Sequence, residues 1–226
     1  MNTQLTELAF ILDRSGSMQS MATAAIEGFN HFLTEQQNST GLARLTLVLF
    51  DDEYLVPYAS APIGTVPPLT TETYAPRANT ALLDAIGRTI DELGQRLATT
   101  PEPERPGKVI IAILTDGQEN ASTRFTTAQI AQRIRHQTDT YQWEFLFLGA
   151  NQDAIATAAS LNIGAANAAT YVSDSLGQFA GSAALARKMK GIRSKAAGKM
   201  TVQEAADADA PMASILEEED TTRRGK

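Results

Sequence analysis

The feature that most constrains the fold is a short apolar run that ends at an aspartate and is followed by hydroxyl side chains. Residues 8–12 are all apolar, Asp13 follows them, and Ser15 and Ser17 flank Gly16. A nearly continuous apolar run of this length is typical of a strand that is buried on both faces. The pattern then becomes helical, so Asp13, Ser15 and Ser17 lie in a strand-to-helix turn, where three oxygens can converge. Oxygen ligands suit a hard cation.

Strand patterns and amphipathic helix patterns alternate along the chain. Strands are predicted at 5–12, 43–50, 54–58, 108–114, 143–148 and 168–172. Helices are predicted at 18–37, 81–97 and 176–189; one more helix begins at 126, and another ends at 161. Such alternation predicts a parallel sheet that is covered by helices on both faces. The tight connection before 54–58 makes that strand antiparallel. We therefore predict an α/β fold: a doubly wound, mostly parallel, Rossmann-like sheet of about six strands with one short antiparallel edge strand.

Two further pieces of sequence bear on the metal site. Thr80 precedes an amphipathic helix, and the apolar strand 109–114 leads to Thr115 and Asp116. Without them, the first pattern also fits an ordinary capped helix. With them, the chain resembles the von Willebrand factor type A domain family, whose metal-ion-dependent adhesion site uses the pattern D-x-S-x-S, then T, then D. The family positions correspond to Asp13, Ser15, Ser17, Thr80 and Asp116.

The resemblance covers roughly residues 5–190 and implies a bound divalent cation. In the family fold, strand one lies beside the strand that ends in Asp116, which would bring Asp13 and Asp116 together at the topological switch point. Magnesium is the expected ion, with manganese or calcium as alternatives, because these cations take oxygen ligands. Two carboxylates roughly cancel one divalent charge, so the ion can still accept an anionic oxygen. In the family, an aspartate or glutamate of a partner protein supplies it.

We therefore expect a non-catalytic, metal-dependent protein-binding module of the bacterial cytoplasmic type. The resemblance also suggests partners such as ATPases or stress-response proteins. The enzymatic alternative is a metal-dependent hydrolase or phosphotransferase of Rossmann-like fold. A phosphotransferase of the haloacid dehalogenase type would need an aspartate where this chain has Ser15. The chain also lacks a glycine-rich phosphate cradle, and no histidine lies near Ser15 or Ser17 in the motif to serve as a base.

Composition and charge narrow the function classes further. The 226 residues carry a net charge of −7, so nucleic acid is not an expected partner. The chain has no cysteine, which excludes disulfides and thiolate metal sites and fits a reducing compartment. No apolar run approaches the roughly twenty residues that span a bilayer. The first strand begins too early for a secretory signal to precede it, so we expect a cytoplasmic protein with no membrane contact.

The C-terminal part of the chain differs in composition from the rest. Basic residues concentrate between Arg187 and Lys199, acidic residues follow, and few large apolar residues remain. We therefore predict a domain over 1–193 and a charged, disordered tail over 194–226. The acidic run 217–220 suggests an alternative function. It could bind the cation of the same or a neighbouring molecule, which would make the protein a self-assembling scaffold.

Acidic residues outside the motif receive a structural interpretation. Asp51, Asp52 and Glu53 follow the second strand, and we interpret them as a solvated hairpin turn. Asp84 lies one helical turn beyond Thr80, so we expect its carboxylate to hydrogen-bond a neighbouring loop.

Overall fold

The computed structural model describes residues 1–150 and 153–225. Within them, one sheet has the strand order β3-β2-β1-β4-β5-β6. Its strands are Asn2–Asp13 (β1), Leu42–Phe50 (β2), Tyr54–Pro62 (β3), Pro106–Thr115 (β4), Glu144–Ala150 (β5) and Ala168–Tyr171 (β6). β2 and β3 pair antiparallel, and the other neighbouring strands pair parallel. The predicted doubly wound, mostly parallel sheet with an antiparallel edge strand is confirmed.

The two central strands, β1 and β4, are apolar over the segments in which no side chain faces solvent. Residues 8–12 of β1 and 110–114 of β4 are fully buried. A parallel strand with neighbours on both sides and helices on both faces has no exposed side chain, so its sequence reads as a continuous apolar run. β1 and β4 begin the two opposite windings of the sheet. The crevice between their carboxyl ends is therefore the topological switch point, where ligands bind in open α/β sheets.

Helices cover both faces of the sheet, as predicted. They are Ala22–Gln37 (α1), Leu82–Thr99 (α2), Thr127–Tyr141 (α3), Ala154–Ser160 (α4), Ser175–Ala196 (α5), Val202–Asp209 (α6) and Met212–Arg224 (α7). α1 and α5 pack on one face, and α2, α3 and α4 pack on the other. The predicted helix from residue 18 begins as a 3₁₀ turn, Gly16–Met21, before α1. None of the helices described is both long and apolar enough to cross a membrane.

The C-terminal segment differs from the predicted disorder. α5 continues past residue 193 to Ala196, and α6 and α7 then pack against α5. Met212, Ile215 and Leu216 are buried at the i, i+3, i+4 spacing of an apolar helix face. Charged neighbours hide this stripe in the composition, so the prediction of disorder is wrong for the segment as far as residue 225; Lys226 lies outside the described residues. The division of the chain at residue 193 stays a prediction.

The acidic run near the C-terminus is engaged within the molecule. Arg187 of α5 pairs with Glu218 at 2.9 Å and with Glu219 at 3.2 Å, and Arg224 pairs with Asp220 at 2.7 Å. Each such ion pair contributes little when it is exposed, but together they tie α7 to α5 and to itself. Binding of Glu218, Glu219 or Asp220 to a metal site would first have to break these pairs.

Candidate metal site

The first predicted ligand, Asp13, lies fully buried at the carboxyl end of β1. Its Oδ1 accepts a hydrogen bond from the backbone N–H of Ser15 at 2.7 Å, and its Oδ2 accepts one from the hydroxyl of Thr115 at 2.5 Å. The hydroxyl of Tyr74 donates to the backbone carbonyl of Asp13 at 2.6 Å. These three bonds fix both the carboxylate and the chain at the point where β1 ends.

The turn after β1 reaches the end of β4 through its two serines. The hydroxyl oxygens of Ser15 and Ser17 lie 3.2 Å apart, and the hydroxyl of Ser17 donates to Oδ1 of Asp116 at 2.6 Å. Because β1 and β4 are adjacent parallel strands, their carboxyl ends meet at one edge of the sheet. Residues 17 and 116 are thereby brought into contact although they are far apart in sequence.

Thr80 reaches the site on the loop that precedes α2. Its backbone N–H donates to the side-chain carbonyl of Asn120 at 2.9 Å, and its carbonyl accepts from the N–H of Asn120 at 3.0 Å. A Cβ added at Gly117 would lie 2.6 Å from the Thr80 hydroxyl and 3.3 Å from the Ser15 hydroxyl. Only glycine at position 117 leaves room for the Thr80 and Ser15 hydroxyls to lie this close to its backbone. The five predicted residues thus lie together, and their role as metal ligands stays a prediction.

Loop segments around the site are held by carboxylates that cap backbone N–H groups. The Asp84 carboxylate accepts from the N–H groups of Thr123, Arg124 and Phe125, which agrees with its structural interpretation. Glu119 has a similar role that no sequence pattern indicated: its carboxylate accepts from the N–H of Leu83 at 2.8 Å and from two N–H groups of its own loop. No spacing rule links this acid to α2 because the contact depends on the fold.

The two carboxylates of the site are buried, and no basic side chain of the described residues pairs with them. Burial is the main cause that raises the pKa of Asp13 above its usual value. Burial also raises the pKa of Asp116 to about 6, and the negative charge of Asp13 adds to the effect, although the Ser17 hydroxyl opposes it. In the part of the chain that the structure describes, neither carboxylate forms an ion pair. The pKa of each is raised because its charged form is poorly solvated.

A neighbouring carboxylate, Asp51, has the opposite surroundings. Its side chain is 0% exposed and pairs with Nη2 of Arg14 at 3.0 Å and with Nε of Arg77 at 2.9 Å. The interpretation of 51–53 as a solvated turn is therefore wrong for Asp51, whereas Asp52 and Glu53 are exposed. The available signal was Arg14, which directly follows Asp13 at the end of β1. The sequence does not indicate that Arg14 pairs with Asp51.

The residues present fit a hard divalent cation. The set contains two carboxylates and three hydroxyls, which are the oxygen ligands that magnesium, manganese and calcium prefer. Gly117 keeps a Cβ out of the space between Thr80 and Ser15. No cluster of three or more acidic or histidine side chains that could hold a metal occurs among residues 1–150 and 153–225. A cation at this edge would therefore depend on the hydroxyls as well as on Asp13 and Asp116.

Comparison with solved structures bears on the fold. Proximal thread matrix protein 1 from the mussel byssus matches with a TM-score of 0.53 and 16% identity, over 85% of this chain and 46% of that chain. The manganese-loaded TRAP protein of Plasmodium vivax matches with a TM-score of 0.50 and 12% identity, over 75% and 69%. A von Willebrand factor type A protein from Catenulispora acidiphila matches with a TM-score of 0.50 and 20% identity, over 87% and 43%. No known family profile and no curated protein sequence matches the chain.

At these identities the matches concern the fold. The chain spans less than half the length of the mussel and Catenulispora proteins. The strand order, the antiparallel edge strand and the helices on both faces agree with the resemblance drawn from the sequence. The chain has the von Willebrand factor type A fold.

Proposed function

We propose that this protein is a non-catalytic protein-binding module that recognises its partner through a divalent cation at the carboxyl ends of β1 and β4. Magnesium is the first choice of ion, with manganese or calcium as alternatives. The residues that would hold it are Asp13, Ser15, Ser17, Thr80 and Asp116. When bound, the cation would supply a Lewis-acidic position for a carboxylate oxygen from an aspartate or glutamate of the partner protein.

The observation that carries this proposal is the charge balance of the site. Asp13 is 0% exposed and Asp116 is 5% exposed, and neither forms an ion pair with the described protein. Buried charges in proteins are normally paired or bound to a metal. The Ser15 backbone N–H donates to Asp13 and the Ser17 hydroxyl donates to Asp116, but neither group carries a positive charge. A divalent cation would supply it, and the proposal is supported by the TRAP neighbour, a protein of similar fold that is manganese-loaded.

The surroundings of the site support binding rather than catalysis. The chain has two histidines, and each contacts an aromatic ring elsewhere. His31 of α1 lies beside Phe179, and His136 of α3 lies beside Tyr141. Among the described residues, no hydrogen bond joins either histidine to Ser15 or Ser17, so serine-based hydrolysis has no evident base.

The cellular setting belongs to the same proposal. A cysteine-free chain with a net charge of −7 suits a reducing compartment and is a poor ligand for nucleic acid. We therefore place the protein in the bacterial cytoplasm. Following the family resemblance, we propose that it acts beside a protein such as an ATPase or a stress-response protein and presents its metal to an acidic residue of that protein.

Isothermal titration of MgCl₂ and MnCl₂ into EDTA-stripped protein tests the metal site. We expect saturable binding of one ion by the wild type and none by Asp116→Asn, which removes one charge and keeps the side-chain shape. Asp52→Asn is the matched control because Asp52 is an exposed acid at the same edge of the sheet. Equal binding by wild type and Asp116→Asn would reject the site.

Affinity capture then tests the binding function. Immobilised wild type should retain its partner in manganese and release it on addition of EDTA, whereas immobilised Asp116→Asn should retain nothing in either buffer. Addition of excess manganese after EDTA should restore capture by the wild type. A partner that stays bound in EDTA would show that recognition does not use the cation.

A further inference from the structure

Two buried polar side chains lie on the α5 side of the metal-site edge without a protein partner. The Tyr171 side chain is 3% exposed and Gln178 is 0% exposed. The Tyr171 hydroxyl and both amide atoms of Gln178 make no hydrogen bond with the described protein. Buried polar groups nearly always have a partner, so these exceptions require an explanation. Neither residue belongs to the five proposed ligands.

The strand register places Tyr171 level with Asp116. Thr115 of β4 pairs with Gly149 of β5, and the next residue, Ala150, pairs with Tyr171 of β6. Asp116 follows Thr115 directly, so it continues the row that contains Ala150 and Tyr171. Two strand spacings separate the backbones at Asp116 and Tyr171, or about 10 Å. A tyrosine side chain that leans across β5 covers most of this distance.

These residues also share one face of the sheet. Leu114, Ala150 and Tyr171 all belong to the core beneath α5. Side chains alternate between the two faces along a strand, so position 116 falls on the same face of the sheet as position 114. Ala150 of β5 lies between β4 and β6, and its small side chain leaves space for the Tyr171 ring. On α5, a Cβ at Gly181 would lie 3.5 Å from the Leu114 side chain and 3.7 Å from the Tyr171 ring, so the helix holds the ring against the sheet.

The two carboxylates of the site act electrostatically on the Tyr171 hydroxyl. Burial raises the pKa of Tyr171 well above its usual value, and the negative charges of Asp116 and Asp13 raise it further. A tyrosine hydroxyl is protonated at neutral pH and carries one hydrogen-bond donor. A hydroxyl in this position can donate a hydrogen bond, which favours the charged form of a carboxylate.

We propose that Tyr171 is a positioning residue of the metal site and that, with the cation bound, its hydroxyl donates a hydrogen bond to the Asp116 carboxylate, directly or through one water molecule. This inference rests on the proposed metal-binding function. The hydrogen bond would orient Asp116, as the outer partners of metal-ligating groups do. Gln178 lies one turn nearer the metal-site edge than Gly181 on α5, and its amide would complete the polar layer behind the site.

The variant Tyr171→Phe tests this role because it removes only the hydroxyl. Manganese affinity is measured by isothermal titration, and stability is measured by urea unfolding in EDTA, both on the full chain. We expect the manganese Kd to rise about tenfold or more. We expect metal-free stability to be unchanged or higher, since a buried hydroxyl without a partner is lost. If Tyr171 had only a structural role, its replacement would not lower the manganese affinity while leaving the stability of the metal-free protein unchanged.

Ser182→Ala is the matched control. Ser182 is a buried residue of α5 whose hydroxyl has no partner among the described atoms, and it faces Gly28 of α1 rather than the site. Its manganese affinity should equal that of the wild type. If Tyr171→Phe binds manganese as tightly as the wild type, or weakens only in proportion to lost stability, the inference is wrong while the proposed function stands. Failure of the wild type to bind manganese would instead reject both.

Discussion

Two groups of buried carboxylates lie at the same edge of the sheet and differ in how their charge is balanced. Asp51, at the end of β2, is neutralised by Arg14 and Arg77. Asp13 and Asp116, at the ends of the adjacent β1 and β4, receive hydrogen bonds from hydroxyls and backbone N–H groups and from no cation in the described chain. Burial is similar in both groups, so the difference lies in the partners.

The difference separates a carboxylate with a structural role, Asp51, from the two that we propose as metal ligands, Asp13 and Asp116. Arg14 lies between Asp13 and Ser15 in sequence, yet its side chain pairs with Asp51. Its backbone N–H also donates to the carbonyl of Phe50 at 2.8 Å, which ties the turn after β1 to the end of β2. The cation nearest the proposed site in sequence is thus directed away from it. No basic side chain among the described residues pairs with Asp13 or Asp116, and this is the observation on which the proposed metal site rests.

The largest expected effect comes from removing the paired carboxylate. Asp51→Asn leaves the buried Arg14 guanidinium without its main counter-charge, and breaking a buried pair in this way costs about 3–5 kcal/mol. Urea unfolding of metal-free protein should show this loss. Asp116→Asn, measured beside it, should show no loss because it removes an uncompensated charge. Equal destabilisation by the two variants would break the comparison.

The next effect concerns stabilisation by metal. A ligand that binds only the folded state stabilises it by about 2.7 kcal/mol at a free concentration 100 times its Kd. Manganese should therefore raise the thermal midpoint of the wild type and leave that of Asp116→Asn unchanged. Asp51→Asn, where it folds, should still respond to manganese because Asp51 is not a proposed ligand. A manganese response in Asp116→Asn would contradict the assignment.

A third buried carboxylate, Glu7 of β1, tests an intermediate case. It is 1% exposed, accepts a hydrogen bond from Ser60 at 2.7 Å, and lies 3.3 Å from the half-buried Arg96. Burial raises its pKa above the ordinary 4.5, and Ser60, Arg96 and Thr46 offset only part of that effect.

The sign of the resulting pH dependence follows from that shift. A group whose pKa is higher in the folded state contributes stability that is present below its unfolded pKa and is lost as pH rises through its folded pKa. The unfolding free energy of the wild type minus that of Glu7→Gln should therefore fall as pH rises above 4.5. Urea unfolding of both proteins in EDTA across this range measures it. A difference that grows with pH would mean that Arg96 outweighs burial.

The smallest effect is expected at Asp52, the neighbour of Asp51 in sequence. Its side chain is 49% exposed and lies 3.9 Å from Arg77. Surface changes away from special features usually alter stability by less than about 0.5 kcal/mol. Asp52→Asn should therefore match the wild type in urea unfolding and in manganese titration. A loss comparable to that of Asp51→Asn would show that the whole acidic turn, rather than its buried member, balances Arg14 and Arg77.

Much of the fold was predictable because its signals are local. The strands on either side of the switch point are apolar runs, and the turn after β1 is marked by Asp13, Gly16 and Ser17. The burial of Asp51 was not predictable, because its partner Arg77 belongs to a distant loop. α7 was missed because three apolar residues among many charges do not stand out in composition, although they suffice to bury one helix face.

The sequence by itself determined the alternation of strands and helices, the aspartates that end β1 and β4, and the hydroxyls that follow the first of them. These depend on the properties of neighbouring residues, which a linear pattern records. Only the tertiary structure decided that Arg14 pairs with Asp51 rather than with Asp13, that the C-terminal acids pair with arginines, and that Tyr171 stands level with Asp116. The pairing of Arg14 and the placement of Tyr171 depend on strand order and register, and the pairs that Arg187 forms with Glu218 and Glu219 depend on the packing of α7 against α5. Each of these contacts joins residues that the sequence keeps apart.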